Sequence, residues 1–122
     1  MQFFLDTYAL IAIIQGNSNF QKYSEEEGIT LKTNLMELYY ILLRDYGESA
    51  AEQGLQQFES IGKDIPINSI RKAMKFRNEH RKQNFSYIDC LGYMFARENK
   101  ILFVTGDNEF KGKEGVEFRK EE

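Results

Sequence analysis

Residues 101–110, ILFVTGDNEF, set four apolar residues against a sudden acid. Ile101, Leu102, Phe103 and Val104 have the composition of a strand buried on both faces, and the chain leaves them through Thr105, Gly106 and Asp107. The N-terminus repeats the device: in MQFFLDTYAL (residues 1–10), Phe3, Phe4 and Leu5 run straight into Asp6. Strands with no polar alternation need cover on both faces, which helical crossovers of a parallel sheet provide.

Working outward, short apolar runs alternate with longer helical patterns. Residues 3–6 read as a strand and 7–15 as an apolar helix closed by Gly16 and Asn17. A polar stretch with Glu25, Glu26, Glu27 and Gly28 leads to a second strand, ITLKT (29–33). Leu35, Leu38, Tyr39 and Leu42 then fall at i, i+3, i+4 and i+7, a helix with Gly47 as its stop. Another helix is expected over 48–60, followed by IPI (65–67) as a short third strand. Pro66 within it argues for a sheet edge. Residues 69–83 predict a charged helix, 86–99 a more apolar one, and VEFRK (116–120) a last strand after ILFVT (101–105). Parallel strands joined by right-handed crossovers end on one edge, and ligands bind outside those carboxyl ends. Asp6 and Asp107 are therefore expected where a site belongs.

The 122 residues suit one domain with one core, expected to span 1–122. A chain 42% hydrophobic and 29% charged excludes disordered and collagen-like classes, and a net charge of −3 does not by itself point to nucleic acid. Cys90 is alone, which excludes an internal disulfide or a CxxC site and makes a reducing cytoplasm the expectation. FFLDTYALIAII (3–14) is too short and too charged to span a membrane.

Two helix-borne acids stand with Asp6 and Asp107. Glu37 is read in the first turn of the helix after strand two, and Asp89 in the first turn of the helix before the 101–105 strand. Each acid also suits a helix start. Asp6 and Asp107 are placed to cap, and Asn34 with Glu37, like Ser86 with Asp89, has the spacing of a capping box. Caps need not share a location, however, and the topology lets these four converge. Carboxylates within ~5 Å repel, and a hard divalent cation relieves that repulsion. A ring of Asp and Glu without clustered His or Cys points to Mg²⁺ or Mn²⁺ rather than zinc, and to phosphodiester hydrolysis.

The motifs FLDTYAL, NLMELYY, SYIDCLGYMFA and VTGDNEF, in this order, resemble the acidic motifs of PIN-domain ribonucleases. The small size is similar to that of VapC-type toxins of toxin–antitoxin pairs. The resemblance implies an α/β, PIN-like three-layer fold with a central parallel sheet of four to five strands. It implies a metal-dependent endoribonuclease in which Asp6, Glu37, Asp89 and Asp107 bind Mg²⁺ or Mn²⁺. Thr7 and Thr105 match flanking polar positions, and Gly92 and Ala96 a small face that lets the Asp89 helix pack closely. An RNA substrate, an antitoxin protein whose Arg enters among the acids, and a homodimer are expected as partners. Tyr8 departs from a small polar position, and Glu109 is an extra acid beside the set.

Other features are read more plainly. The run RKAMKFRNEHRKQ (71–83) is either a solvated helix face or a phosphate track, with Arg71, Lys75, Arg81 and Lys82 as candidate RNA contacts. Lys32 and Arg44 are further candidate cations without a place. His80 lacks an acid–base partner nearby, Cys90 suits burial, and Tyr39, Tyr40, Tyr46 and Tyr93 suit core or interface. The competing functions are a catalytically silent PIN-like binding module and a phosphoacceptor signalling domain. A dinucleotide-binding fold fails because LDTYALIA (5–12) has no glycine for a pyrophosphate to approach.

Overall fold

Phe3, Phe4 and Leu5 form β1 (Phe3–Leu5), all three buried, and β1 lies at the centre of a five-stranded sheet in a computed structural model. The structure describes residues 2–24 and 28–121. The run Glu25, Glu26 and Glu27 lies outside them. The strands β2 (Gly28–Leu31), β3 (Gly62–Lys63), β4 (Leu102–Thr105) and β5 (Val116–Phe118) complete the order β3-β2-β1-β4-β5. Every pairing is parallel, with Phe3 opposite Leu102 and Phe4 opposite Phe103.

The side-chain period of two divides the sheet between two layers of helices. Phe3, Leu5 and Val104 pack with α1 (Thr7–Ile14), α2 (Lys32–Tyr46) and α3 (Glu48–Phe58). Phe4, Leu31 and Phe103 pack on the other face with α4 (Ile67–Glu79) and α5 (Tyr87–Glu98). Phe4 and Phe103 stack with centroids 5.5 Å apart, and Phe110 lies 4.7 Å from Phe103. Gly92 makes the second layer close: a Cβ there would sit 2.8 Å from the Phe4 ring. With fully buried Ala96, it lets α5 ride on β1 and brings the start of α5 to the edge where β1 ends.

Three local expectations are corrected. The third strand is Gly62–Lys63, not residues 65–67, and Pro66 instead precedes α4 as its N-cap. Proline fits there because its fixed φ suits a helix start and the missing N–H costs nothing. β3 is nonetheless an edge strand. The second strand stops at Leu31 and α2 begins at Lys32, so Glu37 lies in the second turn of α2 and belongs to no capping box. The charged helix ends at Glu79 rather than running to 83. Residues 18–24 form a 3₁₀ segment that buries Phe20 and Tyr23. Among the described residues no helix is long and apolar enough to cross a membrane.

Candidate active site

Asp6 follows β1 directly and N-caps α1, its Oδ1 accepting from Ala9 N at 2.9 Å. Its Oδ2 accepts from the Thr105 hydroxyl, so the residue ending β4 orients the acid that ends β1. Thr105 Oγ in turn accepts from Asp107 N at 3.0 Å. Asp107 Oδ1 accepts from Glu109 N at 3.0 Å, capping a short 3₁₀ turn. Asp89 closes a capping box: its Oδ2 accepts from Ser86 N at 2.9 Å while its own N donates to Ser86 Oγ at 3.0 Å. Capping and convergence are therefore not alternatives. Three acids each use one oxygen to hold their own backbone.

All four sequence-predicted acids line one cleft of about 840 Å³, together with Thr7, Tyr8 and Glu109. Thr105 is fully buried behind it and acts on the cleft through Asp6. Glu37 reaches it from α2, one turn before Ile41. Asn34, in the preceding turn, donates to Thr7 Oγ at 3.1 Å and ties α2 to the start of α1.

Asp6 is only 5% exposed, and burial pushes its carboxyl up to about 7. The bonds from Thr105 and Ala9 oppose this, whereas the charges of Asp89 and Asp107 add to it. Burial likewise raises the Asp89 carboxyl above the usual range, with Asp107 and Glu37 pushing the same way. No ion pair relieves any of the five cleft acids among the described residues.

That arrangement suits a hard cation. Asp89 Oδ1, Asp107 Oδ2 and both Glu37 oxygens have no protein donor among the described residues, leaving their lone pairs to a ligand. Among the described residues no group of three or more acids is placed to hold a metal ion by itself. Mg²⁺ commonly binds through one or two carboxylates and keeps several waters.

The expected RNA contacts sit elsewhere. Arg71, Lys75, Arg81 and Lys82 are exposed on α4 and just beyond it, and none lines the cleft. The cations that do are Arg77 and Lys120. Lys32 pairs with Asp64 at 2.7 Å and Arg44 with Asp45 at 2.8 Å. His80 stacks on Phe76 outside the cleft, and Cys90 is buried in the second core. Tyr93 is also buried there, Tyr39 donates to Glu52 at 2.7 Å, and Tyr40 and Tyr46 are exposed.

Tyr8 lines the cleft and also serves a structural end. Its ring lies against Gly106, and its hydroxyl accepts from Glu121 N at 3.2 Å, holding the last residues beside the site. A Cβ on Gly106 would overlap that ring and come 2.5 Å from the Arg119 carbonyl, which cannot swing away. Gly106→Ala is expected to cost ~1–3 kcal/mol as an overpacking change. The urea midpoint measures it, and an unchanged midpoint would refute the close approach.

The PIN domain family model matches residues 3–115. Among solved structures the chain is similar to VapC20 of Mycobacterium tuberculosis, a sarcin-ricin loop cleaving toxin, at TM-score 0.81 and 18% identity. That match covers 96% of this chain and 98% of that one. VapBC2 from Rickettsia felis, bound to a DNA fragment from its promoter, matches at TM-score 0.75 and 17% identity over 100% of both chains. A toxin–antitoxin complex from Klebsiella pneumoniae matches at 0.73 and 18%, over 94% of this chain and 95% of that one. At such identities the likeness is one of fold. No curated protein matches the chain by sequence.

Proposed function

The chain belongs to the PIN domain family, and from that premise we propose that it is a metal-dependent endoribonuclease, the toxin of a toxin–antitoxin pair. The observation that carries this reading is the set of carboxylates around one cleft at the strand ends, in no ion pair among the described residues and with Asp6 buried among them. Such a cluster is costly on its own and favourable around a divalent ion.

In this reading Asp6, Glu37, Asp89 and Asp107 hold Mg²⁺ or Mn²⁺, with Glu109 beside them. The bound ion supplies water activation and charge stabilisation at the phosphoryl oxygens. The protein's part is to fix its acids beforehand. Thr105 and Ala9 hold the Asp6 rotamer, Ser86 holds Asp89, and the Glu109 amide holds Asp107. Ligand oxygens held in this way need little reorganisation when substrate arrives. Thr7 is kept in place by Asn34 at the mouth of α1.

The toxin assignment takes its support from similar structures solved as toxin–antitoxin complexes. An antitoxin Arg inserted among the free carboxylate oxygens would gain a bidentate partner and displace the ion. A homodimer working in the cytoplasm completes the proposal.

Incubating single-stranded RNA with the protein tests the reading. Cleavage is expected with Mn²⁺, none with EDTA, and none with Asp89→Asn. Cleavage that survives both EDTA and Asp89→Asn would refute it.

A further inference from the structure

A cleft lined by five acids repels the phosphates it is proposed to receive, so its two cations need an explanation. Among the described residues both Arg77 and Lys120 are held by neutral partners. Arg77 Nε donates to the Phe85 carbonyl at 3.3 Å, and its guanidinium lies 4.5 Å from the centroid of the Tyr87 ring. Lys120 Nζ donates to the Gly106 carbonyl at 3.0 Å and to Asn108 Oδ1 at 3.4 Å, and lies 5.5 Å from the Tyr8 centroid. Among the described residues neither is in an ion pair, although acids surround them.

The two anchors are the same in kind. Each cation is steadied by a neutral carbonyl and an aromatic face, which orient it without cancelling its charge. They also come from different layers. Arg77 belongs to α4 on the Phe4 face of the sheet, whereas Lys120 is seated over α1 and the end of β4. Asp6 follows β1 and Asp107 follows β4, the neighbouring strands that run between those layers.

We infer that Arg77 and Lys120 form a two-sided phosphate clamp, seating the backbone of single-stranded RNA across the carboxylates by contacts on either side. Both are positioning residues. The inference rests on the ribonuclease reading for its substrate but not for its test, because binding is measured without cleavage. The exposed cations Arg71, Lys75, Arg81 and Lys82 are the competing source of phosphate affinity.

The experiment is a fluorescence anisotropy titration of a labelled single-stranded oligoribonucleotide in EDTA, repeated across a salt series. Each phosphate contact on a single strand contributes ~0.7 to the slope of log affinity against log salt. Arg77→Gln and Lys120→Gln are each expected to lower the slope by ~0.7, and the double variant by ~1.4. Arg77→Lys and Lys120→Arg should retain it, since they keep the charge; a merely structural loss would not be rescued in this way. Where RNA is cleaved, the Gln variants should raise KM more than they lower kcat.

The clamp is overturned by an unchanged slope in the folded double variant, or by a slope lost instead with Arg71→Gln, Lys75→Gln, Arg81→Gln and Lys82→Gln combined. Absence of salt-dependent binding by the unsubstituted protein overturns it as well. If Mn²⁺-dependent cleavage is missing but the slopes fall as expected, the nuclease reading fails and the clamp stands.

Discussion

Asp6→Asn is expected to lower Mn²⁺-dependent RNA cleavage at least about a hundredfold, near 2.7 kcal/mol of barrier at 1.36 kcal/mol per tenfold. In EDTA above pH 7 the same substitution is expected to raise the melting temperature. The opposite signs have one cause. The Asp6 carboxyl is shifted from 3.8 to about 7 in the folded protein, chiefly by burial. Between those values the folded state binds more protons than the unfolded one, so stability falls as pH rises from about 4 to about 7. The deficit is fully present above that window and is on the order of 4 kcal/mol at most, from 1.36 kcal/mol per pKa unit.

Asparagine removes the charge and with it the deficit. It also gives up a charged acceptor for the Thr105 hydroxyl, so the net gain is smaller than that limit. The melting temperature of the unsubstituted protein in EDTA should fall across pH 4 to 7, whereas that of Asp6→Asn should change less. Added Mn²⁺ should stabilise the unsubstituted protein more than the variant. If Asp6→Asn melts lower at every pH and Mn²⁺ acts on both alike, the carboxylate serves as a helix cap alone. A lost cap costs ~1 kcal/mol.

The second large effect lies away from the cleft. Phe103→Ala is expected to cost ~3–5 kcal/mol, a large share of the 5–15 kcal/mol typical of a domain. Phe103 is fully buried in β4, stacked on Phe4 and bordered by Tyr93 and Phe110 at centroid distances of 5.5 and 4.7 Å. Those rings are anchored on β1, α5 and the turn after β4, so they cannot collapse far into the space left behind. A fall in urea midpoint with unchanged slope measures the loss. A cost below ~1 kcal/mol would mean that this layer tolerates the cavity, contrary to its dense aromatic packing.

Several features were legible because their causes are local. Phe3-Phe4-Leu5 and Phe103-Val104 can be read as doubly buried strands, since nothing in either run is polar. Ser86 with Asp89 could be read as a capping box because all its atoms lie within four residues. Arg77 left a weaker trace: it follows Phe76 and lies one turn beyond Ala73, both buried, while Arg71 and Lys75 turn to solvent. A helical-wheel reading of α4 could have separated it from the other cations of that run.

Other features had no local cause. β3 contains only Gly62 and Lys63, and it is a strand because β2 pairs with it. Leu31 ends β2 and starts α2 without any side-chain cap, so no residue marks the turn that sets the depth of Glu37.

The sequence by itself determined that two apolar strands each end in a carboxylate and that a third acid opens a helix, because strand burial and capping act over a few residues. Only the tertiary structure decided that these acids share a cleft with Glu37, and that Lys120 lies beside them. Its place depends on β5 pairing with β4 and on contacts with Gly106 and Tyr8, remote in sequence. Convergence of like charges is a property of packed layers, and packing is settled over distances that no short stretch of chain encodes.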